Sequence, residues 1–186
     1  MIINFDSETH TYTDEDGNTL PSVTTILSEE GLIDTTWFKP EHAQRGTDIH
    51  EATAMIDKGD MSATDFPEWM HGYLDAWQLF KIDEGFTPEL IETIVSDGVF
   101  AGTVDRVGNM RGKRWLLDIK TGRPSKWHRL QTSAYAHALE EPNINRGTVH
   151  ITKDGKYRFK EHDHPSSDMD AWLCLIGWRI ARGLYK

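Results

Sequence analysis

The stretch from Leu90 to Lys120 limits the possible fold more than any other part of the chain. Three β-rich runs follow one another there: Leu90 to Val95, Val99 to Val107 and Arg114 to Lys120. Asp97-Gly98 separates the first two, a hairpin signal because glycine takes positive φ without steric cost, and the turn Asn109 to Gly112 separates the second and third. Strands joined this closely pair as an antiparallel meander, since parallel pairing requires a crossover of a dozen or more residues. Around the meander the hydrophobic period becomes helical. Ahead of it, Ile3, Phe5, His10 and Tyr12 with the turn Asp16-Gly17-Asn18 read as a small hairpin, and Ser22 caps a short helix carrying Ile26 and Leu27. A helix with Pro40 in its first turn runs to about Lys58, stopped by Gly59. Another, capped by Asp65 with Pro67 in its first turn, carries Trp69, Tyr73, Trp77 and Phe80 and ends at Gly85. Beyond the meander, Ser125 opens a helix to about Glu140. A strand pair, Thr148 to Thr152 and Tyr157 to Lys160, surrounds Asp154-Gly155, and a last helix spans about Ser167 to Leu184. This order argues an α/β fold with a mixed central sheet flanked by helices. No repeat or linker divides the 186 residues, so one domain, 1–186, with a short N-terminal hairpin and helical segment is expected.

Composition narrows the chemistry. One cysteine, Cys174, excludes an internal disulfide, a four-cysteine zinc site and a cysteine-ligated iron–sulfur cluster within one chain. A resident metal would have to use histidine and carboxylates. No apolar run approaches the ~20 residues of a membrane span, and the first residues have neither a basic nor an apolar leader region, so a cytoplasmic protein without a membrane partner is expected. The net charge of −10 argues against a uniformly basic nucleic-acid binder, but its distribution is uneven. Residues 1–100 hold 4 Lys/Arg against 21 Asp/Glu, whereas residues 101–186 hold 16 against 9. Eight basic residues and a single acid fall within 106–129, a segment able to bind phosphate locally, or else an ordinary solvated hairpin.

The chemistry-bearing segments are AGTVDRV and LLDIKTG. They put Asp105 and Asp118 on neighbouring strands, and alternation puts Lys120 on the same face as Asp118. Two adjacent carboxylates repel unless a cation sits between them, and a hard divalent ion prefers such oxygen ligands. Asp-x-Lys is also a common surface ion pair, but Leu116, Leu117 and Ile119 mark this strand as buried. On the helix from Pro40, Gly46 and His50 are four apart and share a face, and so do Gln131 and Tyr135 on the helix after the meander. His162 and His164 read as a solvated loop or metal ligands, and Glu92 as an exposed strand residue or a partner of the site. Trp37, Trp69 and Trp127 read as core or as platforms for bases.

In order and spacing, Gly46-x-x-x-His50, Gly102-x-x-Asp105, Asp118-x-Lys120 and Gln131-x-x-x-Tyr135 resemble the RecB-like, phage-type exonuclease branch of the PD-(D/E)XK nuclease superfamily. The resemblance covers about residues 40–140, and Val104 stands where the nominal motif has proline. It implies a restriction-endonuclease-like core and a Mg²⁺ or Mn²⁺ ion held by His50, Asp105, Asp118 and the carbonyl of Ile119. It also implies a catalytic Lys120, with Gln131 and Tyr135 supporting the site or the DNA. The cysteines of the iron–sulfur relatives are absent, and so is a Gly-rich phosphate loop, so neither cluster nor nucleotide cofactor is expected. The expected activity is hydrolysis of DNA phosphodiesters by an exonuclease of recombination, repair or phage DNA metabolism, in a bacterial or phage-infected cell. DNA, single- or double-stranded and with a free end, is the expected substrate, with self-association or a recombination partner protein left open. A structure-selective or restriction-type endonuclease and a catalytically silent binding module are the alternatives. Arg106, Arg114, Arg123, Lys126, Trp127 and Arg129 are the expected DNA contacts.

Overall fold

The computed structural model of the protein describes residues 2–6, 9–34 and 40–185. Its N-terminal strands β1 (Asn4–Asp6), β2 (Thr11–Thr13) and β3 (Thr19–Leu20) form a small antiparallel sheet, one strand more than the expected hairpin. Helices α1 (Val23–Glu29), α2 (Pro40–Lys58) and α3 (Glu68–Glu84) follow. Then come β4 (Thr87–Ser96), β5 (Ala101–Met110), β6 (Lys113–Lys120), α4 (His128–Ala138), β7 (Asn145–Ile151), β8 (Tyr157–Glu161) and α5 (Pro165–Ala181). The five long strands form one sheet in the order β4-β5-β6-β7-β8. All neighbours are antiparallel except β6 and β7, which α4 connects as the crossover a parallel pair needs. The sheet is therefore mixed and flanked by helices, consistent with a restriction-endonuclease-like core.

Alternation on β6 feeds two cores. Leu117 and Ile119 pack with Ile49, Trp77, Phe80 and Val149, beneath α2 and α3. Leu116 packs on the other face with Ile26, Leu27, Val104, Tyr135 and Trp172, beneath α1, α4 and α5. Each such buried side chain contributes about 1.5–3 kcal/mol by leaving water, so a one-residue slip of β6 would cost both cores at once. The register of β6, and with it the placement of Asp118 and Lys120, is fixed by this packing. Among the described residues, no helix is long and apolar enough to cross a membrane.

Two expected helix starts shift. Asp65 belongs to a short 3₁₀ turn, where it accepts the Ser62 amide at 2.7 Å, and Pro67 takes the N-cap position of α3. Proline disfavours helical backbone at the residue before it, and Phe66 is accordingly extended. α4 begins at His128 rather than Ser125, with Trp127 as N-cap. Trp37 lies outside the described residues.

Candidate metal centre and groove

The β5–β6 ladder stops at Arg106 paired with Leu117, one step short of Asp105 and Asp118. There the Asp105 side chain enters the gap, and its Oδ2 accepts the Ile119 amide at 2.6 Å. Asp105 is thereby fixed to the backbone of the strand that carries Asp118 and Lys120. On the other side, Ile91 and Thr93 of β4 pair with Arg106 and Val104, while Glu92 between them has a φ of 47°. A left-handed conformation costs a non-glycine residue roughly 1–2 kcal/mol. Here it breaks the ladder opposite Asp105 and brings the Glu92 carboxylate to the same place. From α2, His50 puts Nδ1 3.3 Å from Asp105 Oδ1 and 3.8 Å from Glu92 Oε1. Ligand atoms of His50, Glu92 and Asp105 all lie within 4.8 Å of one another, a spacing that suits one divalent ion.

Asp118 stands beside this trio, turned to Lys120, whose Nζ is 2.7 Å from both carboxylate oxygens. Burial pushes Asp118 up to about 6, against the pull of the Lys120 charge and with the help of the Asp105 charge. Burial would also raise Asp105, but the His50 charge and hydrogen bond, then Lys120, hold it below the usual carboxylate range. For His50, burial opposes the proton but the two carboxylates prevail, and its pKa rises to about 10. The His50 imidazolium, the Lys120 ammonium and the Arg106 guanidinium thus face three acids at this point. The donor set fits a hard divalent cation, which would take over that balancing role once His50 is neutral and Lys120 moves off Asp118.

Gln131 and Tyr135 also meet: Gln131 Nε2 donates to the Tyr135 hydroxyl at 3.0 Å, which leaves the tyrosine proton free to donate. Burial, then the charges of Asp118 and Asp105, keep that phenol protonated. The ring edge meets β5 at Gly102, where an added Cβ would stand 2.5 Å from Tyr135 Cε1. Gly102 and Tyr135 are therefore one packing unit behind the carboxylates. At Gly46 on α2, an added Cβ would meet nothing within 4 Å among the described residues.

Gly46 and His50 instead line a groove of about 920 Å³ with His42, Arg45, Lys120, Thr121, Arg123, Trp127 and His128. Of the six expected DNA contacts, Arg123 and Trp127 line this groove and Lys126 is exposed nearby. Arg106 does not belong with them. It is fully buried, with Nε on Asp57 at 2.7 Å, Nη1 on Glu92 at 2.8 Å and on the Asp105 carbonyl, and Nη2 on Thr53. It clamps Glu92 into the site. Arg114 lies at the opposite end of β6 from Lys120, paired with Glu89 and Glu141. Arg129 pairs with Asp168. His162 is buried, bonded to Thr132 and Thr148 rather than solvated, while Trp69 is exposed on α3.

A sequence model of the PD-(D/E)XK nuclease superfamily matches residues 61–177. The chain belongs to that superfamily. Proteins of the PD-(D/E)XK superfamily are hydrolytic nucleases that use divalent metal ions and act on DNA. The matched segment carries Asp105, Asp118, Lys120, Gln131 and Tyr135, while His50 lies upstream of it on α2. The crystal structure of SSO0001 aligns over 57% of this chain and 57% of its own, at 20% identity and a TM-score of 0.31, so the chain spans little more than half the length of that protein. No curated protein matches the chain. Within the PD-(D/E)XK core, Glu92 is the residue whose role sequence reasoning did not resolve. Its signal is a charge inside the apolar run Leu90 to Val95.

Proposed function

We propose that this chain is a Mg²⁺- or Mn²⁺-dependent deoxyribonuclease of the RecB-like, phage-type branch, with residues 1–186 acting as one nuclease domain. We read it as an exonuclease of recombination, repair or phage DNA metabolism. The observation that carries the reading is the meeting of His50, Glu92 and Asp105 beside the Asp118–Lys120 pair, with His50 and Lys120 lining an open groove. His50, Glu92, Asp105 and Asp118, with the Ile119 carbonyl, would hold the ion. When bound, the ion supplies polarisation of a phosphate oxygen and a lowered pKa for a nearby water.

The remaining steps belong to the protein's own groups. Lys120, released from Asp118, puts its ammonium beside the scissile phosphate, where it stabilises developing charge and orients the attacking water. Tyr135, held by Gln131, offers its free hydroxyl proton towards the carboxylates and keeps them in place. Arg123 and Lys126 supply phosphate contacts, whose strength falls as salt rises. The preference for ends follows from the branch that the motifs resemble. Incubation of end-labelled linear DNA and covalently closed circles with Mg²⁺, Mn²⁺ or EDTA tests the proposal. Metal-dependent shortening of linear DNA with intact circles is expected. Nicked circles would replace the exonuclease with an endonuclease, and intact substrates under every condition would leave a binding module.

A further inference from the structure

At one end of the groove lies a set of groups that cleavage itself does not use. Helix α4 has 11 residues and begins at His128, and its N-cap residue Trp127 makes no side-chain capping bond. The Leu130 and Gln131 amides donate to the Trp127 carbonyl, so among the described residues the His128 and Arg129 amides are the ones left open, and the helix dipole adds partial positive charge there. His128 gives an independent sign that an acceptor belongs at this end. Its ring is 4% exposed, and Nδ1 accepts the Ser125 amide at 3.3 Å. A neutral imidazole has one donor and one acceptor, so the proton is on Nε2. Burial, then the charge of Lys120, keeps the ring neutral by pushing its pKa down to about 2. Among the described residues Nε2 has no hydrogen-bond partner, although the ring lines the groove with Lys120, Thr121 and Ser125.

Trp127 adds a second kind of surface. Its indole meets His128 edge-on at 4.2 Å, is half-buried, and has the Lys120 ammonium 5.8 Å from its ring centre. Arg123 and Lys126 are exposed next to it. A ring in an open groove beside an anion-seeking helix end and a lysine has the form of a stacking platform on a phosphate track. Bases inside a duplex are stacked on both sides and cannot use such a platform without being unpaired.

We propose that the N-terminus of α4 is a subsite for one unpaired nucleotide beside the scissile phosphate, with the His128 Nε2–H donating to its phosphate and the Trp127 ring stacking on its base. The groove accordingly takes single-stranded DNA or a frayed end in preference to closed duplex. This inference rests on the nuclease reading for the position of the scissile phosphate, but binding can be measured without cleavage.

The test is fluorescence anisotropy in EDTA, with a labelled oligo-dT and a labelled closed hairpin duplex, on the wild type, Trp127→Ala, Trp127→Phe, His128→Leu and His128→Gln. The wild type should prefer oligo-dT. Trp127→Ala should weaken oligo-dT binding about 5- to 150-fold with little change for duplex, while Trp127→Phe retains most of it. His128→Leu should weaken oligo-dT binding about tenfold or more, and His128→Gln, which keeps a donor, should lie closer to the wild type. Should His128→Leu not fold, the two Trp127 variants decide. A wild type that favours duplex, or Trp127→Ala binding oligo-dT as the wild type does, overturns the inference. Metal-dependent cleavage by a wild type whose Trp127→Ala binding is unchanged removes the subsite alone. Preferential binding of oligo-dT without cleavage under any metal removes the nuclease reading alone.

Discussion

Replacing Asp118 by asparagine should abolish cleavage and, in the metal-free protein, make the fold progressively more stable than the wild type as pH rises. Asp118 is buried, and its pKa of about 6 lies about two units above the ordinary 3.8. At about 1.4 kcal/mol per unit, ionising it in the folded protein costs about 3 kcal/mol relative to the unfolded chain. Because the folded pKa is raised, this contribution to stability is fully present below pH 3.8 and lost as pH rises through about 6. Asparagine has no such transition. For a chain of this size about 1 kcal/mol corresponds to roughly 2–4 °C, so the Tm difference between variant and wild type should grow by about 6–12 °C from about pH 4 to pH 8. The attraction of Lys120 for the ionised carboxylate is already contained in that pKa, so it adds no further pH dependence. Thermal melts in EDTA across that range measure it, and Mn²⁺ should raise the Tm of the wild type much more than that of Asp118→Asn. A Tm difference that is flat or falls with pH would refute the reading of Asp118 as a strained buried carboxylate.

Three further outcomes follow from the same geometry. Arg106→Ala should cost about 3–5 kcal/mol in urea unfolding, because it leaves Asp57 and Glu92 without their buried partner. The salt dependence of its DNA binding should match the wild type, since Arg106 contacts no phosphate. Gly102→Ala places a methyl 2.5 Å from Tyr135 and should cost about 1–3 kcal/mol with a marked loss of cleavage, read by thermal melting alongside the nuclease assay. His50, protonated up to about pH 10 without metal, must be neutral to act as a ligand. Apparent Mn²⁺ affinity should therefore rise by up to about tenfold per pH unit between about pH 7 and pH 9, and His50→Gln should flatten that slope.

Much of this fold was readable in the sequence because its signals are local. Asp97-Gly98 set one hairpin and the turn before Lys113 the other, and the apolar run around Leu116 to Ile119 marked a strand buried on both faces. The pairing of β6 with β7 was not local. It depends on the α4 crossover, and local signals marked only that both strands exist. The four motifs singled out His50, Asp105, Asp118, Lys120, Gln131 and Tyr135, but their spacing carries no information on which acid faces which cation. Glu92 entered the site through a left-handed backbone, a tertiary outcome that no strand pattern encodes. The basic segment divides for a related reason. Charge along the chain reports neither burial nor pairing: Arg106 is buried, and Arg106, Arg114 and Arg129 each pair with acids far away in sequence.

Calorimetric titration of Mn²⁺ into the metal-free wild type and into Asp105→Asn is the most direct measurement of whether His50, Glu92, Asp105 and Asp118 form one ion site. Saturable binding to the wild type with release of protons, lost in Asp105→Asn while the variant remains folded, is the expected result. Equal binding by both proteins, or none by the wild type, would contradict it.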